Sequence, residues 1–174
     1  MKPKYRIIFL GTPDFAVPSI KALAQAGMKP VLIVSQPDRP QGRKRKIIPT
    51  PTHQAGLDLD IPVFQPTKVR NKAFYETLAS YEPDFLITAA YGRILTPEVL
   101  ALAKIEALNI HASLLPKYRG ASPVQASLIA GDKVTGVSIM RMTEGMDEGP
   151  VFAQFPYEIP DGMRADRLMD ELSL

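Results

Sequence analysis

Asn109 and His111 stand two residues apart in a short apolar run whose composition predicts a strand. Side chains at positions i and i+2 of a strand project from the same face. An imidazole that can move a proton would therefore lie beside an amide that can donate a hydrogen bond to a developing oxyanion. This pair suits acyl-type transfer chemistry. From spacing alone, a histidine that only hydrogen-bonds to the scaffold remains an equally good interpretation.

A second group of chemically active side chains lies in a glycine-flanked acidic turn at residues 145–150. The pattern by itself favours a tight connection whose acids are solvated. The functional alternative brings Asp147 next to His111, where a carboxylate stabilises the charged imidazole and fixes the orientation of its ring. Glu144 and Glu148 are expected to be solvated in either case.

Positive charge is concentrated in one segment of the chain. Residues 38–46 hold five basic side chains and one acid, whereas the net charge of the whole chain is +3. The remainder is therefore slightly acidic. A solvated charge run and a contact with a phosphate backbone are both open interpretations of this segment. Its four consecutive basic residues are Arg43, Lys44, Arg45 and Lys46.

Several classes of site are excluded or disfavoured. The chain has no cysteine, so disulfides and cysteine-ligated zinc are excluded, and a reducing cytoplasm is compatible. No spacing of histidine and acidic residues supplies three metal ligands, and His53 is expected at the surface. The turn at residues 11–16 lacks the second and third glycines of a dinucleotide fingerprint, so NAD and FAD are disfavoured. No apolar run approaches the roughly 18 residues that span a bilayer.

These residues must be positioned by alternating strands and helices. Apolar runs and capping residues predict strands at 6–11, 31–34, 85–90, 107–110, 134–142 and 151–159. Helices are predicted at 19–26, 68–81, 97–103, 123–130 and 163–172. The five prolines and glycines of residues 36–52 predict an irregular loop there.

The order of these elements predicts the α/β class, with a doubly wound, mostly parallel, Rossmann-like sheet in a single domain. Ligands bind such sheets outside the carboxyl ends of the strands, where the strand order reverses. Gly11, residues 90–92 and His111 all follow predicted strand ends. We therefore expect them to meet in one crevice.

Several separate blocks, in the right order, resemble the 10-formyltetrahydrofolate-dependent formyltransferases, whose fold is of this Rossmann-like type. They are Asn109-x-His111, then Ser113-Leu114-Leu115-Pro116-x-Tyr118-Arg119-Gly120-x-x-Pro123, then Gly145-x-Asp147-x-Gly149. Two further blocks resemble the branch of that family that formylates initiator methionyl-tRNA. They are Phe9-x-Gly11-Thr12-Pro13-x-Phe15-Ala16 and Pro37-Asp38-Arg39-Pro40-x-Gly42-Arg43. The similarity runs from about residue 5 to the last helix.

The resemblance implies a reaction of translation initiation in the cytoplasm. The amino group of methionine on initiator methionyl-tRNA would attack the formyl carbon of 10-formyltetrahydrofolate, and tetrahydrofolate would leave. Asn109 and His111 would stabilise the oxyanion, and His111 would also move the proton to the departing N10. Asp147 would orient His111 and organise an ordered water.

The resemblance also implies where the two substrates bind. The folate site would be lined by Ser113, Leu114, Leu115 and Pro116, with the pterin facing Gly92, Arg93, Ile94 and Leu95. Arg43, Lys44, Arg45 and Lys46 would reach the acceptor end of the tRNA, Arg43 foremost. We expect a monomer that uses no metal and contacts no membrane.

Full-length members of this branch continue into a β-barrel domain that helps to hold the tRNA. Residues 1–174 are therefore expected to form the catalytic domain, incomplete at its carboxyl end and without the barrel. Other acceptors remain open, namely glycinamide ribonucleotide, a nucleotide sugar or water, as does a non-catalytic fragment that binds folate or RNA. The basic segment argues against a small acceptor.

Overall fold

The computed structural model describes residues 4–41 and 46–174. The strands in these residues are β1 to β9, in order Ile7–Gly11, Leu32–Val34, Arg39–Gln41, Lys46–Ile48, Val63–Phe64, Phe85–Ala89, Glu106–His111, Val134–Arg141 and Val151–Glu158. The helices are α1 to α6, in order Val17–Gln25, Pro51–Asp58, Lys72–Ser80, Pro97–Leu100, Pro123–Ile129 and Ala165–Ser173. A 3₁₀ turn, Asp14–Ala16, precedes α1.

The described strands form a seven-stranded sheet in the order β5-β2-β1-β6-β7-β8-β9, with β3 and β4 as a separate pair. The first five strands of the order run parallel, and β8 and β9 run antiparallel. The strand order reverses between β1 and β6, where Gly11 pairs with Ala89 and Ala89 in turn with Ile110. The predicted α/β, doubly wound, mostly parallel sheet is confirmed.

Alternate residues of the central strands point to opposite faces of the sheet and build a hydrophobic core on each. On one face, Phe9 and Ile33 pack with residues of α1, α5 and α6. On the other, Ile8 and Leu10 pack with residues of α3 and α4. Both faces are thus covered by helices, as a buried parallel sheet requires. The carboxyl edge between these layers is left for the site.

The prediction of an irregular loop over residues 36–52 is wrong. Arg39 pairs with Ile48 in the antiparallel β3–β4 hairpin, and α2 begins at Pro51. Proline breaks a sheet or helix where its missing N–H is needed. Here Pro40 lies in a two-stranded ribbon and Pro51 at the first turn of a helix, where that N–H has no necessary partner.

Element boundaries differ elsewhere by a few residues. The helix predicted from residue 68 begins at Lys72, because the Asn71 side chain caps it by accepting a hydrogen bond from the Phe74 N–H at 2.8 Å. The short strand β5 and helix α2 were not predicted. Across residues 4–41 and 46–174, no helix combines the length and the apolar character needed to cross a membrane.

Candidate active site

Asn109 occupies the carboxyl end of β7, between Thr88 on β6 and Met140 on β8. The Thr88 hydroxyl donates a hydrogen bond to Oδ1 of Asn109 at 2.7 Å. Nδ2 of Asn109 lies 3.3 Å from Oδ1 of Asp147. Thr88 therefore fixes which end of the amide faces the site, and this end is the hydrogen-bond donor.

His111 ends the same strand and is 6% exposed. Its Nε2 lies 2.9 Å from the backbone carbonyl oxygen of Tyr118. Because a carbonyl oxygen can only accept a hydrogen bond, Nε2 carries the hydrogen in this contact. Nδ1 lies 3.5 Å from Oδ2 of Asp147. Nδ1 is thus the ring nitrogen that can gain or lose a proton, and it faces a carboxylate.

Asp147 joins three segments of the chain. Its carboxylate lies beside Asn109 and His111 and also accepts a hydrogen bond from the Gly120 N–H at 2.8 Å. The side chain is 15% exposed, and the backbone φ is 52°, in the left-handed region that is uncommon outside glycine. Strained backbone of this kind clusters at functional sites.

Glu144, just before this turn, and Glu148 within it are exposed, as expected. Glu148 lies 3.7 Å from the guanidinium of Arg119 at the surface. The interpretation in which all acids of residues 145–150 are solvated is therefore wrong for Asp147, and the structure brings Asp147, His111 and Asn109 together.

The predicted folate residues 113–116 follow β7 directly, and their positions differ. Ser113 is fully buried and its hydroxyl donates to the Lys117 carbonyl at 2.6 Å. Leu115 is buried, Leu114 half-buried and Pro116 exposed. The Ser113 side chain therefore holds the loop in shape instead of facing the crevice. Whether the segment lines a folate site stays a prediction.

Two side chains that sequence analysis missed support this loop. The Ser138 hydroxyl donates to the Ser113 carbonyl at 2.6 Å and accepts from the Leu115 N–H at 3.1 Å. The Gln154 amide donates to the Leu115 carbonyl at 2.8 Å. Ser138 sits opposite His111 in the β7–β8 register. The signal available in the sequence was a serine in the middle of the predicted strand at 134–142.

The second predicted folate segment follows β6. Gly92 has φ +75°, and a Cβ there would lie 2.7 Å from Nε2 of Gln36. That same nitrogen donates to the Tyr91 carbonyl at 2.9 Å. The positive φ favours glycine here, and a Cβ would also displace the Gln36 amide from this contact. Arg93 and Ile94 are exposed, and Leu95 is buried. Burial raises the pKa of Tyr91 to about 12, although the charge of Arg93 opposes the shift.

A family model described as formyl transferase matches residues 5–173. The chain belongs to the formyl transferase family. It is 46% identical over 169 residues to a methionyl-tRNA formyltransferase of Pelotomaculum thermopropionicum, covering 97% of this chain. It is 48% identical over 167 residues to one of Chloroflexus aggregans, covering 96%. The chain spans 54% of each of these relatives, about half their length.

Two solved structures share the fold of this chain. A phosphoribosylglycinamide formyltransferase from Bacillus halodurans matches with a TM-score of 0.76 and 27% identity, over 96% of this chain and 87% of that one. A formyltetrahydrofolate deformylase from Pseudomonas syringae matches with a TM-score of 0.75 and 18% identity, over 99% and 57% of the two chains. The latter likeness shows the fold alone.

The basic segment of this family member is described in part. Arg43, Lys44 and Arg45 lie outside the described residues, whereas Lys46 begins β4 and is exposed. The expectation that His53 is a surface residue is met only in part, because its ring is half-buried and Nδ1 lies 2.9 Å from Oδ2 of Asp38. The fold of residues 46–53 into β4 and α2 draws the ring inward.

A cavity of about 240 Å³ lies beside the base of the hairpin, at the carboxyl ends of β1 and β2. Thr12, Gln36, Arg39 and Thr50 are among its lining residues. In the described ranges of this formyl transferase family member, no cluster of three or more histidine, aspartate or glutamate side chains is placed to hold a metal ion.

Proposed function

We propose that this chain transfers a formyl group from 10-formyltetrahydrofolate to the methionine amino group of initiator methionyl-tRNA. The observation that carries the proposal is the cluster of Asn109, His111 and Asp147 at the carboxyl edge of the sheet. Methionyl-tRNA formyltransferases that are 46–48% identical to the chain support the choice of acceptor. We place the reaction in the cytoplasm, in a monomer without metal.

Asn109 suits the stabilisation of negative charge on the formyl oxygen. When the amine attacks the formyl carbon, the carbonyl oxygen becomes an oxyanion that needs hydrogen-bond donors held in advance. Thr88 holds the Asn109 amide with Nδ2 toward the site. Since this orientation exists before the substrate arrives, little reorganisation is needed during the reaction.

His111 suits the movement of the proton. The attacking amine must lose one proton, the bond from the formyl carbon to N10 must break, and N10 must take up one proton. The Tyr118 carbonyl holds Nε2 of His111, which leaves Nδ1 for this exchange. Nδ1 is 3.5 Å from Asp147, longer than an ordinary N–H···O hydrogen bond. Asp147 therefore acts on the imidazole mainly through its charge.

The donor is held, in this proposal, by the two segments that flank the cluster. Gly92, Arg93, Ile94 and Leu95 follow β6, and the 113–116 loop follows the neighbouring β7. The exposed Ile94 beside backbone groups of residues 91–93 offers an apolar and hydrogen-bonding surface that suits a flat heterocycle. Since 10-formyltetrahydrofolate supplies the formyl group, it is a co-substrate.

The basic segment favours an RNA acceptor over a small one. A protein that neutralises backbone phosphates with lysine and arginine gains affinity without reading sequence. Arg39 and Lys46 are exposed on the β3–β4 hairpin, and Arg43 to Arg45 lie between its strands in sequence. Glycinamide ribonucleotide, a nucleotide sugar or water needs no such protrusion.

We expect Asn109→Ala or His111→Ala to lower single-turnover formyl transfer at least about a hundredfold, since one preorganised oxyanion donor lowers the activation barrier by about 3–4 kcal/mol. The measurement uses charged initiator tRNA and 10-formyltetrahydrofolate, with folate affinity by calorimetry and folding by circular dichroism as controls. Wild-type rates in both variants would contradict the assignment.

Parallel reactions with glycinamide ribonucleotide and with water alone identify the acceptor. Faster transfer to the small acceptor, or hydrolysis without transfer, would reject the RNA acceptor while keeping the formyl chemistry. Folate binding without turnover of any acceptor would favour a binding fragment.

A further inference from the structure

The segments that enter and leave the β3–β4 hairpin are connected to each other by polar side chains. Asp38 immediately precedes β3, and Thr50 and His53 follow β4. Oδ1 of Asp38 accepts hydrogen bonds from the Thr50 N–H at 3.0 Å and from the Gln65 amide at 2.7 Å. Nδ1 of His53 lies 2.9 Å from Oδ2. One carboxylate thus connects the entrance of the hairpin to its exit.

The contact between Asp38 and His53 is largely withdrawn from solvent, with side chains 17% and 23% exposed. Burial by itself raises the pKa of the Asp38 carboxyl, but hydrogen bonds from Gln65, Thr50 and His53 and the His53 charge outweigh it, so the pKa lies below its usual range. Asp38 is therefore ionised at neutral pH. Because a carboxylate only accepts hydrogen bonds, Nδ1 of His53 carries the hydrogen.

The exit of the hairpin is anchored in the sheet. Thr50 caps α2 by accepting from the His53 N–H at 3.2 Å, and its hydroxyl lies 2.6 Å from that of Ser35, directly after β2. The buried Thr52 hydroxyl donates to the Gly11 carbonyl at the end of β1 at 2.8 Å. The hairpin base is therefore tied to the two strand ends that border the crevice.

The same base reaches the predicted folate segment through Gln36. Its carbonyl accepts from the Gln65 amide at 2.9 Å, and its Oε1 accepts from Arg39 at 3.3 Å. Its Nε2 donates to the Tyr91 carbonyl, next to Gly92. The Gln36 side chain thus contacts both Arg39 on the hairpin and Tyr91 at the crevice.

We propose that Asp38 and His53 are positioning residues for the RNA acceptor. Their contact closes the base of the β3–β4 hairpin and so fixes the direction in which Arg39 and Lys46 project beside the crevice. The inference rests on the proposed function, because it concerns the acceptor of that same site. Asp38 and His53 act through the hairpin and not on the reacting atoms.

Three variants separate the contributions of charge and hydrogen bond. Asp38→Asn keeps the shape and removes the charge, His53→Leu removes the donor, and His53→Lys restores a cationic donor. We expect the first two to raise the KM for charged initiator tRNA about tenfold, as the loss of a charge-assisted hydrogen bond predicts. We expect His53→Lys to return it to within about threefold of the wild type.

The split between kinetic constants distinguishes positioning from a structural role. The turnover at saturating tRNA and the folate dissociation constant are expected to stay unchanged in all three variants. Amide hydrogen exchange should accelerate in residues 39–41 and 46–48 and not in the central sheet. Lys133→Gln is the matched control, since it removes an exposed contact of 2.7 Å with Asp161, far from the hairpin in the chain.

The outcomes separate this inference from the proposed function. If the wild-type chain transfers no formyl group to tRNA and binds none by fluorescence anisotropy, the proposed function fails and the inference fails with it. If the wild type transfers but Asp38→Asn and His53→Leu keep its KM for tRNA, the inference alone is overturned. Equal losses of folate and tRNA affinity, or exchange that rises throughout the sheet, would also overturn it.

Discussion

Asp147 contacts both of the groups assigned to the chemistry and the backbone of the loop that follows them in the chain. Its carboxylate meets the Asn109 amide, the His111 ring and the Gly120 N–H, all of which are donors when the ring is charged. A neutral amide at this position would turn an N–H₂ group toward at least one of those donors. The negative charge, and not only the shape, is therefore needed.

We expect Asp147→Asn to lower single-turnover formyl transfer about a hundredfold, comparable to the loss of one oxyanion donor. Glu148→Gln is the matched control, because it makes the same chemical change one residue later at an exposed side chain. Rates would be measured at saturating folate and tRNA. Equal rates in the two variants would remove Asp147 from the mechanism.

The burial of Tyr91 makes the stability of the fold depend on pH in the alkaline range. Its pKa is about 12 in the folded chain and 10.0 in the reference state, so between these values the unfolded chain loses a proton that the folded chain keeps. The stabilisation is complete below pH 10 and is lost as the pH rises to about 12. We expect the free energy of unfolding of the wild type, relative to Tyr91→Phe, to fall across that window in urea titrations. A constant difference would contradict the burial of this hydroxyl.

At the scale of elements, strand β8 supports the 113–116 loop and tolerates few substitutions. A Cβ at Gly136 would lie 2.1 Å from the Phe155 carbonyl of β9 and 2.7 Å from the Leu114 side chain. Ser138, two residues later, holds the backbone of Ser113 and Leu115. The antiparallel pair β8–β9 is therefore what shapes the 113–116 loop.

Thr135 on β8 offers a way to strengthen this pair. Its hydroxyl is buried and has no hydrogen-bond partner among the described residues, and a buried unsatisfied hydroxyl costs free energy. We expect Thr135→Val, which replaces the hydroxyl by a methyl of similar size, to raise the free energy of unfolding by about 1 kcal/mol. Thr135→Ser keeps the hydroxyl and should destabilise. A loss of stability in Thr135→Val by chemical denaturation would show that the hydroxyl is satisfied.

At the scale of the whole molecule, charge is distributed in a way that suits one extended anionic partner. The net charge is +3, and the segment from Asp38 to Lys46 contributes more than all of it. The two predicted folate segments and the Asn109 cluster lie outside that segment in sequence. Contacts with RNA and with folate are thus expected to respond separately to charge changes.

We expect Arg43→Ala to weaken transfer to charged initiator tRNA while leaving folate affinity intact, and to reduce the slope of log affinity against log salt by about 1, the loss of one phosphate contact. Lys133→Ala removes the same charge elsewhere on the chain and should leave that slope unchanged. An equal loss of both ligands in Arg43→Ala would contradict the assignment of the segment to RNA.

The amino-acid sequence by itself determined the alternating α/β order and the shared face of Asn109 and His111, because strand periodicity is local. Residues 36–52 were predicted wrongly, since the proline count hid a hairpin and a helix in which Pro40 and Pro51 occupy permitted positions. The domain boundary and the roles of the site residues stay predictions.

Tertiary structure alone decided that Asp147, 36 positions after His111 in the chain, lies 3.5 Å from its ring. It also decided the orientation of the Asn109 amide through Thr88 and the hydrogen on Nε2 of His111 through the Tyr118 carbonyl. Tertiary structure likewise decided the contact between His53 and Asp38. These contacts depend on backbone groups and on strand neighbours distant in sequence, and such partners leave no periodic pattern from which they can be predicted.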